Sequence, residues 1–110
     1  MKLPNPELAI IDLKKLSDYC LNPEHPDGQH KARVFKAALG ISLENVEELR
    51  LASLEAIQVN EAITDKSNQY GQKYVVNFTI VRAQQQATIH SVWIVKHNEN
   101  FARLITCYIL

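Results

Sequence analysis

The residues most suited to chemistry stand together in Gly28-Gln29-His30-Lys31-Ala32-Arg33-Val34-Phe35. Three cationic or titratable side chains crowd the first turns of an expected helix, where the macrodipole disfavours positive charge. The arrangement is awkward for stability, yet it suits an anion, because free amides and cations can converge on a phosphate. At helical spacing Lys31 shares a face with Val34, Phe35 and Ala38, on the apolar side, whereas Arg33 and Lys36 point away. A lysine there either snorkels past its apolar neighbours or meets an acidic or phosphate partner. His30, beside this cluster, is the best candidate for acid–base work.

The other reactive side chains give weaker signals. His25 and His97 fall in expected loops and read as ordinary surface histidines, and His90 reads as a satisfied core histidine. No pair of histidines has the i, i+4 spacing of a metal site, and neither HExxH nor CxxC occurs, so no metal or cofactor is expected. Thr106 and Tyr108 put two hydroxyls on one face of the last strand, either the wet side of an edge or the lining of a site. Arg50 lies between apolar residues of its helix and is read as a stem that packs while its head escapes. Cys20 and Cys107 are expected to be reduced core thiols.

The elements that must position these groups follow from periodicity. Asp12 should cap a first helix over 12–21, with Ile11 and Leu16 forming a hydrophobic staple and Leu13, Leu16 and Cys20 sharing one face. Pro23 stops it, and 22–28 reads as a loop. A second helix over 29–39 can be capped by Asp27 and ends at Gly40, a left-handed residue. Ser42 caps a third over 42–59, with Leu43, Val46, Leu49, Ala56 and Ile57 inward and an acidic row, Glu44, Glu47, Glu48 and Glu55, in water.

The period then falls to two. Strands are expected over 74–81, 87–96 and 104–110, with 60–65 a short edge candidate and Gln84-Gln85-Gln86 a turn. Short connections favour antiparallel neighbours, so the fold class is α+β: three N-terminal helices packed on a small antiparallel sheet of three to four strands, in one domain over 1–110.

Composition limits the function classes. At 110 residues, 46% hydrophobic and 22% charged, the chain is globular. Twelve basic and twelve acidic residues cancel, which lowers the prior for nonspecific nucleic-acid binding. With no signal core and no apolar run near the ~20 residues that cross a bilayer, a cytoplasmic location without membrane partners is expected.

Five segments carry a resemblance: Leu3-Pro4-Asn5, Asp18-Tyr19-Cys20-Leu21-Asn22-Pro23, Gly28 to Phe35, Trp93-Ile94-Val95 and Arg103-Leu104-Ile105-Thr106-Cys107-Tyr108. Together they resemble a family of short bacterial proteins without assigned function, over nearly the whole chain. The order of elements is also similar to C-terminal toxin domains of bacterial polymorphic toxins, grouped with barnase, colicin and RelE-type ribonucleases. That resemblance implies His30, Lys31, Thr106 and Tyr108 as catalytic residues, with Arg33 adding phosphate binding. The chain departs from an active toxin in its neutral charge, and it is expected to stand without a delivery region.

Two functions compete on this reading. One is a small toxin-type, metal-independent ribonuclease-like domain acting on RNA. The other is a noncatalytic immunity- or antitoxin-like protein whose acidic third helix suits a basic partner. RNA, a cognate immunity or antitoxin protein and a second copy of the chain are the partners left open.

Overall fold

The computed structural model describes residues 1–110 as an α+β fold, with helical elements in the first half and a four-stranded antiparallel sheet in the second. Helix α1 (Leu13–Lys15) runs straight into a π-turn (Leu16–Cys20); α2 (Gln29–Leu39) and α3 (Val46–Ala56) follow. The strands are β1 (Ala62–Ser67), β2 (Gly71–Arg82), β3 (Gln85–Lys96) and β4 (Ala102–Ile109), in the order β1-β2-β3-β4. No helix is long and apolar enough to cross a membrane.

The caps explain where the helices begin. The Asp12 carboxylate accepts from the Lys14 amide at 3.0 Å, and Ile11 and Leu16 are both buried, as the staple requires. The expected regular helix over 12–21 is instead α1 followed by a wider turn, in which the Leu21 amide reaches back five residues to the Leu16 carbonyl at 2.8 Å. Leu16 and Cys20 keep the core, and Leu13 is exposed, because α1 is only three residues long.

Asp27 does not cap α2. No side chain caps it; the His25 ring instead fixes the loop ahead of it, its Nδ1 accepting from the amides of Asp27 and Gly28, both at 3.0 Å. Gly40 ends α2 at φ 66°, in the left-handed region. Ser42 and Asn45 form a capping box around a 3₁₀ turn, Leu43–Asn45, that precedes α3. Leu43 is therefore exposed rather than inward, and Ser53 joins Leu49 and Ile57 in the core. The Arg50 head does reach the surface, where it forms a bidentate pair with Glu47 one turn earlier.

β2 and β3 pair in unbroken register from Gly71↔Lys96 to Arg82↔Gln85. The expected Gln84-Gln85-Gln86 turn is shorter: Ala83 and Gln84 alone turn the chain, with φ of 48° and 69°, the signs of a type I′ hairpin. Glycine and asparagine usually fill such positions, so neither residue announces the turn. Contacts to the C-terminal end of α2 hold it, with Arg82 donating to the Leu39 and Gly40 carbonyls and Gln85 to that of Ala37.

The inner face of the sheet carries Val76, Phe78, Ile89, Trp93, Leu104 and Cys107, all buried against Phe35, Leu39, Leu49 and Ile57 from the helices. Each large apolar side chain so buried stabilises the fold by roughly 1.5–3 kcal/mol. Two polar groups enter this core with partners. Ser91 donates to the Val76 carbonyl at 2.6 Å and accepts from the Trp93 indole at 2.8 Å. The N-terminal segment crosses to the β4 edge, where Ile10 exchanges backbone bonds with Ala102 and Leu104 at 2.9 and 3.0 Å.

Candidate functional site

Lys31 lies in the first turn of α2, a helix anchored by Ala32, Phe35 and Leu39, so its stem runs along the packed side toward the π-turn. Its Nζ donates to the Tyr19 hydroxyl at 2.8 Å. The same ammonium sits 4.8 Å from the Tyr19 ring centroid and 5.7 Å from that of Tyr108. It belongs to none of the ion pairs of the molecule. The Tyr19 hydrogen bond raises its pKa above the ordinary value, against a smaller opposing effect of desolvation. The amine therefore stays charged, in an aromatic cradle with no carboxylate.

Two grooves flank the Lys31–Tyr19 pair. The first, about 300 Å³, is lined by His30, Lys31, Val34, Tyr108 and Ile109. His30 is exposed there and makes no hydrogen bond, so both ring nitrogens are free for a ligand. The second, about 560 Å³, is lined by Tyr19, His25 and Thr106 together with Asp12, Lys14, Lys15 and Asp18. Tyr19 belongs to this groove, and its bond to Lys31 joins it to the first. Of the four expected catalytic residues, His30, Lys31 and Tyr108 share one groove and Thr106 lines its neighbour.

Arg33 is elsewhere. It lines a separate groove of about 580 Å³ with Lys36, Leu21, Pro23 and Leu43, in keeping with a helical wheel that points it away from Lys31.

Sequence reasoning gives Tyr19 no part in the site and takes His25 for an ordinary surface residue. Tyr19 is the acceptor for Lys31, and His25 packs edge-on against it with ring centroids 4.9 Å apart. The two amides donating to His25 Nδ1 make that nitrogen an acceptor, so in the neutral ring Nε2 carries the proton. His25 can thus donate but not accept at Nε2. The useful signal was Gly28. A Cβ there would stand 2.1 Å from the Tyr19 carbonyl, so only glycine lets the start of α2 press against the π-turn. His90, read as a core histidine, is only half-buried, and its ring lies 5.0 Å from that of Tyr108, its partner across the strands.

Beneath these residues lie the thiols. Cys20 and Cys107 are both free and buried, and their sulfurs are 3.9 Å apart. Cys20 also touches the Thr106 hydroxyl at 3.7 Å. Nowhere do three His, Cys, Asp or Glu side chains converge as a metal site would require.

Comparison with known proteins sets this geometry in context. A family model described as a domain of unknown function (DUF6883) matches residues 2–110. Among curated proteins, none matches. Among solved structures, a chain of the contact-dependent growth inhibition toxin–immunity protein complex from Klebsiella pneumoniae 342 superposes with a TM-score of 0.70 at 16% identity, covering 92% of this chain and 99% of that one. At that identity the likeness is one of fold.

Proposed function

The chain belongs to the DUF6883 family, and on that footing we propose that it is a toxin-type, metal-independent ribonuclease-like domain acting on RNA. Lys31 carries the reading: it is a charged ammonium held between two tyrosines, lining one groove and bonded to Tyr19 of the next, with no carboxylate paired to it. Cleavage of RNA by its own 2′-hydroxyl needs a base, an acid for the leaving oxygen and a cation for the phosphorane charge. His30 supplies base or acid, with both nitrogens open. Lys31 meets the phosphate, while Thr106 and Tyr108 position the chain, the tyrosine ring offering a face on which a base can stack. Arg33, in its own groove, binds a more distant phosphate. A fold shared with a chain from a toxin–immunity complex agrees with this role. In this proposal residues 1–110 act as one domain, in the cytoplasm where RNA is met.

The rival reading, a noncatalytic immunity- or antitoxin-like protein, drew on the acidic row of α3. Glu47 and Glu48 are engaged by Arg50 and Arg82, which leaves Glu44 and Glu55 to face a basic partner. That lowers its support.

The test is cleavage of a labelled RNA in the presence of a chelator. Lys31→Ala and His30→Ala should each lower the rate roughly 10²–10³-fold, the usual cost of losing a group that stabilises the transition state. Lys36→Ala, in the other groove, should change little. A wild-type protein that neither cuts nor binds RNA would hand the case to the interaction-protein reading, and gel filtration with a candidate partner would then separate a complex from a second copy of the chain.

A further inference from the structure

We propose that Cys20 and Cys107 form a peroxide-responsive dithiol, and that its closure to a disulfide resets the Tyr19–Lys31–Tyr108 site. The two sulfurs come from separate elements, the π-turn and β4, and touch at 3.9 Å with nothing between them. A disulfide holds its sulfurs at about 2.05 Å, so closure needs an approach of about 2 Å. Both side chains are almost fully shielded, at 0% and 1% exposure. At that exposure even water does not touch the sulfurs, so peroxide reaches them through local opening of the π-turn, a smaller opening than a bulky disulfide reagent needs.

The environment divides the labour between the two. The Cys107 thiol donates to Cys20, and this bond above all brings the Cys20 pKa down to about 6, with the Thr106 hydroxyl and the Lys31 charge adding to it. Cys107 is pushed up by the same pairing and by burial. Cys20 is thus the attacking thiolate and Cys107 the resolving thiol. The Cys20 sulfur attacks one peroxide oxygen and the O–O bond breaks. Hydroxide leaves and takes up a proton as water, giving Cys20 sulfenic acid. The Cys107 sulfur then attacks the Cys20 sulfur and the S–O bond breaks, with the departing hydroxide and the thiol proton forming a second water. Two thiols lose two electrons in all, and one peroxide becomes two waters.

The consequence reaches the site through neighbours in the chain. Cys20 follows Tyr19, which holds Lys31, and Cys107 precedes Tyr108, which faces Lys31 from the other side. Drawing the sulfurs together moves both tyrosines relative to the ammonium. The thiol chemistry stands whether or not the chain cuts RNA; only its effect on catalysis rests on the reaction proposed above.

The experiment exposes the reduced, folded wild-type chain to hydrogen peroxide and follows intact mass, denatured thiol count and the ring-proton resonances of Tyr19 and Tyr108. The expected result is a loss of two hydrogens, a fall from two titratable thiols to none, a 20–107 cross-linked peptide, and shifted tyrosine resonances, all reversed by dithiothreitol. In Cys107→Ser the sulfenic acid on Cys20 should persist and be trapped by dimedone; if that variant does not fold, the wild-type measurements decide alone. Stepwise oxygen addition to one cysteine while the other stays titratable would overturn the dithiol. A disulfide that leaves the tyrosine resonances in place would overturn its coupling to the site. None of these measurements uses RNA, so a failed ribonuclease assay and a failed dithiol are told apart.

Discussion

Replacing Gly28 by alanine tests whether the site depends on the close approach of α2 to the π-turn. The new Cβ would meet the Tyr19 carbonyl oxygen at 2.1 Å, its carbon at 2.9 Å and the Tyr19 ring at 3.2 Å. Ordinary contact lies near 3.4 Å, so the two backbones must part by about 1 Å. Such overpacking costs roughly 1–3 kcal/mol. Against it stands a gain: Gly28 has φ −87° and ψ −17°, which alanine adopts freely, and the stiffer unfolded chain returns about 0.4–1 kcal/mol. The net expectation is a loss of about 1–2 kcal/mol, read as a lower urea midpoint with an unchanged m-value. The functional effect should exceed the stability effect. A shift of about 1 Å stretches the 2.8 Å Lys31–Tyr19 bond beyond hydrogen-bond reach, so RNA cleavage should fall in protein that is still fully folded. A Gly28→Ala protein as stable as the wild type, or more so, would refute the reasoning, because the backbones would then have room that the geometry denies them.

Other perturbations address separate parts of the argument. Ser91→Ala strands the Trp93 indole inside the core, while the Val76 carbonyl keeps its ladder partner, and denaturant unfolding should show a loss of about 1–3 kcal/mol. Gln84→Gly relieves a positive φ of 69° in the β2–β3 turn, and thermal melts should show a stabilisation of about 1 kcal/mol. Arg82 holds the Glu48 carboxyl below its ordinary value of 4.5. A depressed carboxyl contributes fully above its unfolded pKa and loses that contribution as pH falls through the folded one. The stability gap between wild type and Arg82→Leu should therefore be constant near neutrality and narrow below pH 4.5, as paired melts across pH would show.

Local rules carried much of the fold from the sequence. Asp12, Gly40 and Ser42 mark real helix boundaries because caps depend on one or two residues. The alternation after residue 74 marks strands because a sheet with one buried face imposes it. What escaped depends on contacts between distant segments. The turn at Ala83-Gln84 is held by α2 rather than by its own residues, and the first part of β2, Gly71-Gln72-Lys73, pairs only because Val95 and Lys96 lie opposite. The site divides in the same way. Lys31 stood out because a cation on an apolar stripe is a local anomaly. Tyr19 and the Cys20–Cys107 contact did not, since a one-residue widening of a helix and a separation of 87 positions leave no periodic trace.

The clasp between Ile10 and β4 has a consequence for the time course of folding. Residues near position 10 find their backbone partners at 102 and 104, and Leu3, buried in the core, lies almost the whole chain away from the strand that completes it. Pairings so far apart in sequence are slow to form, because a long loop must close before any bond repays its ordering. On a ribosome the segment around residue 10 must therefore wait for β4. Until residues 102–109 emerge, the core that holds Cys20 and Tyr19 has no wall on the β4 side, and the Lys31 site does not exist. A nascent chain would remain chemically silent until β4 is in place.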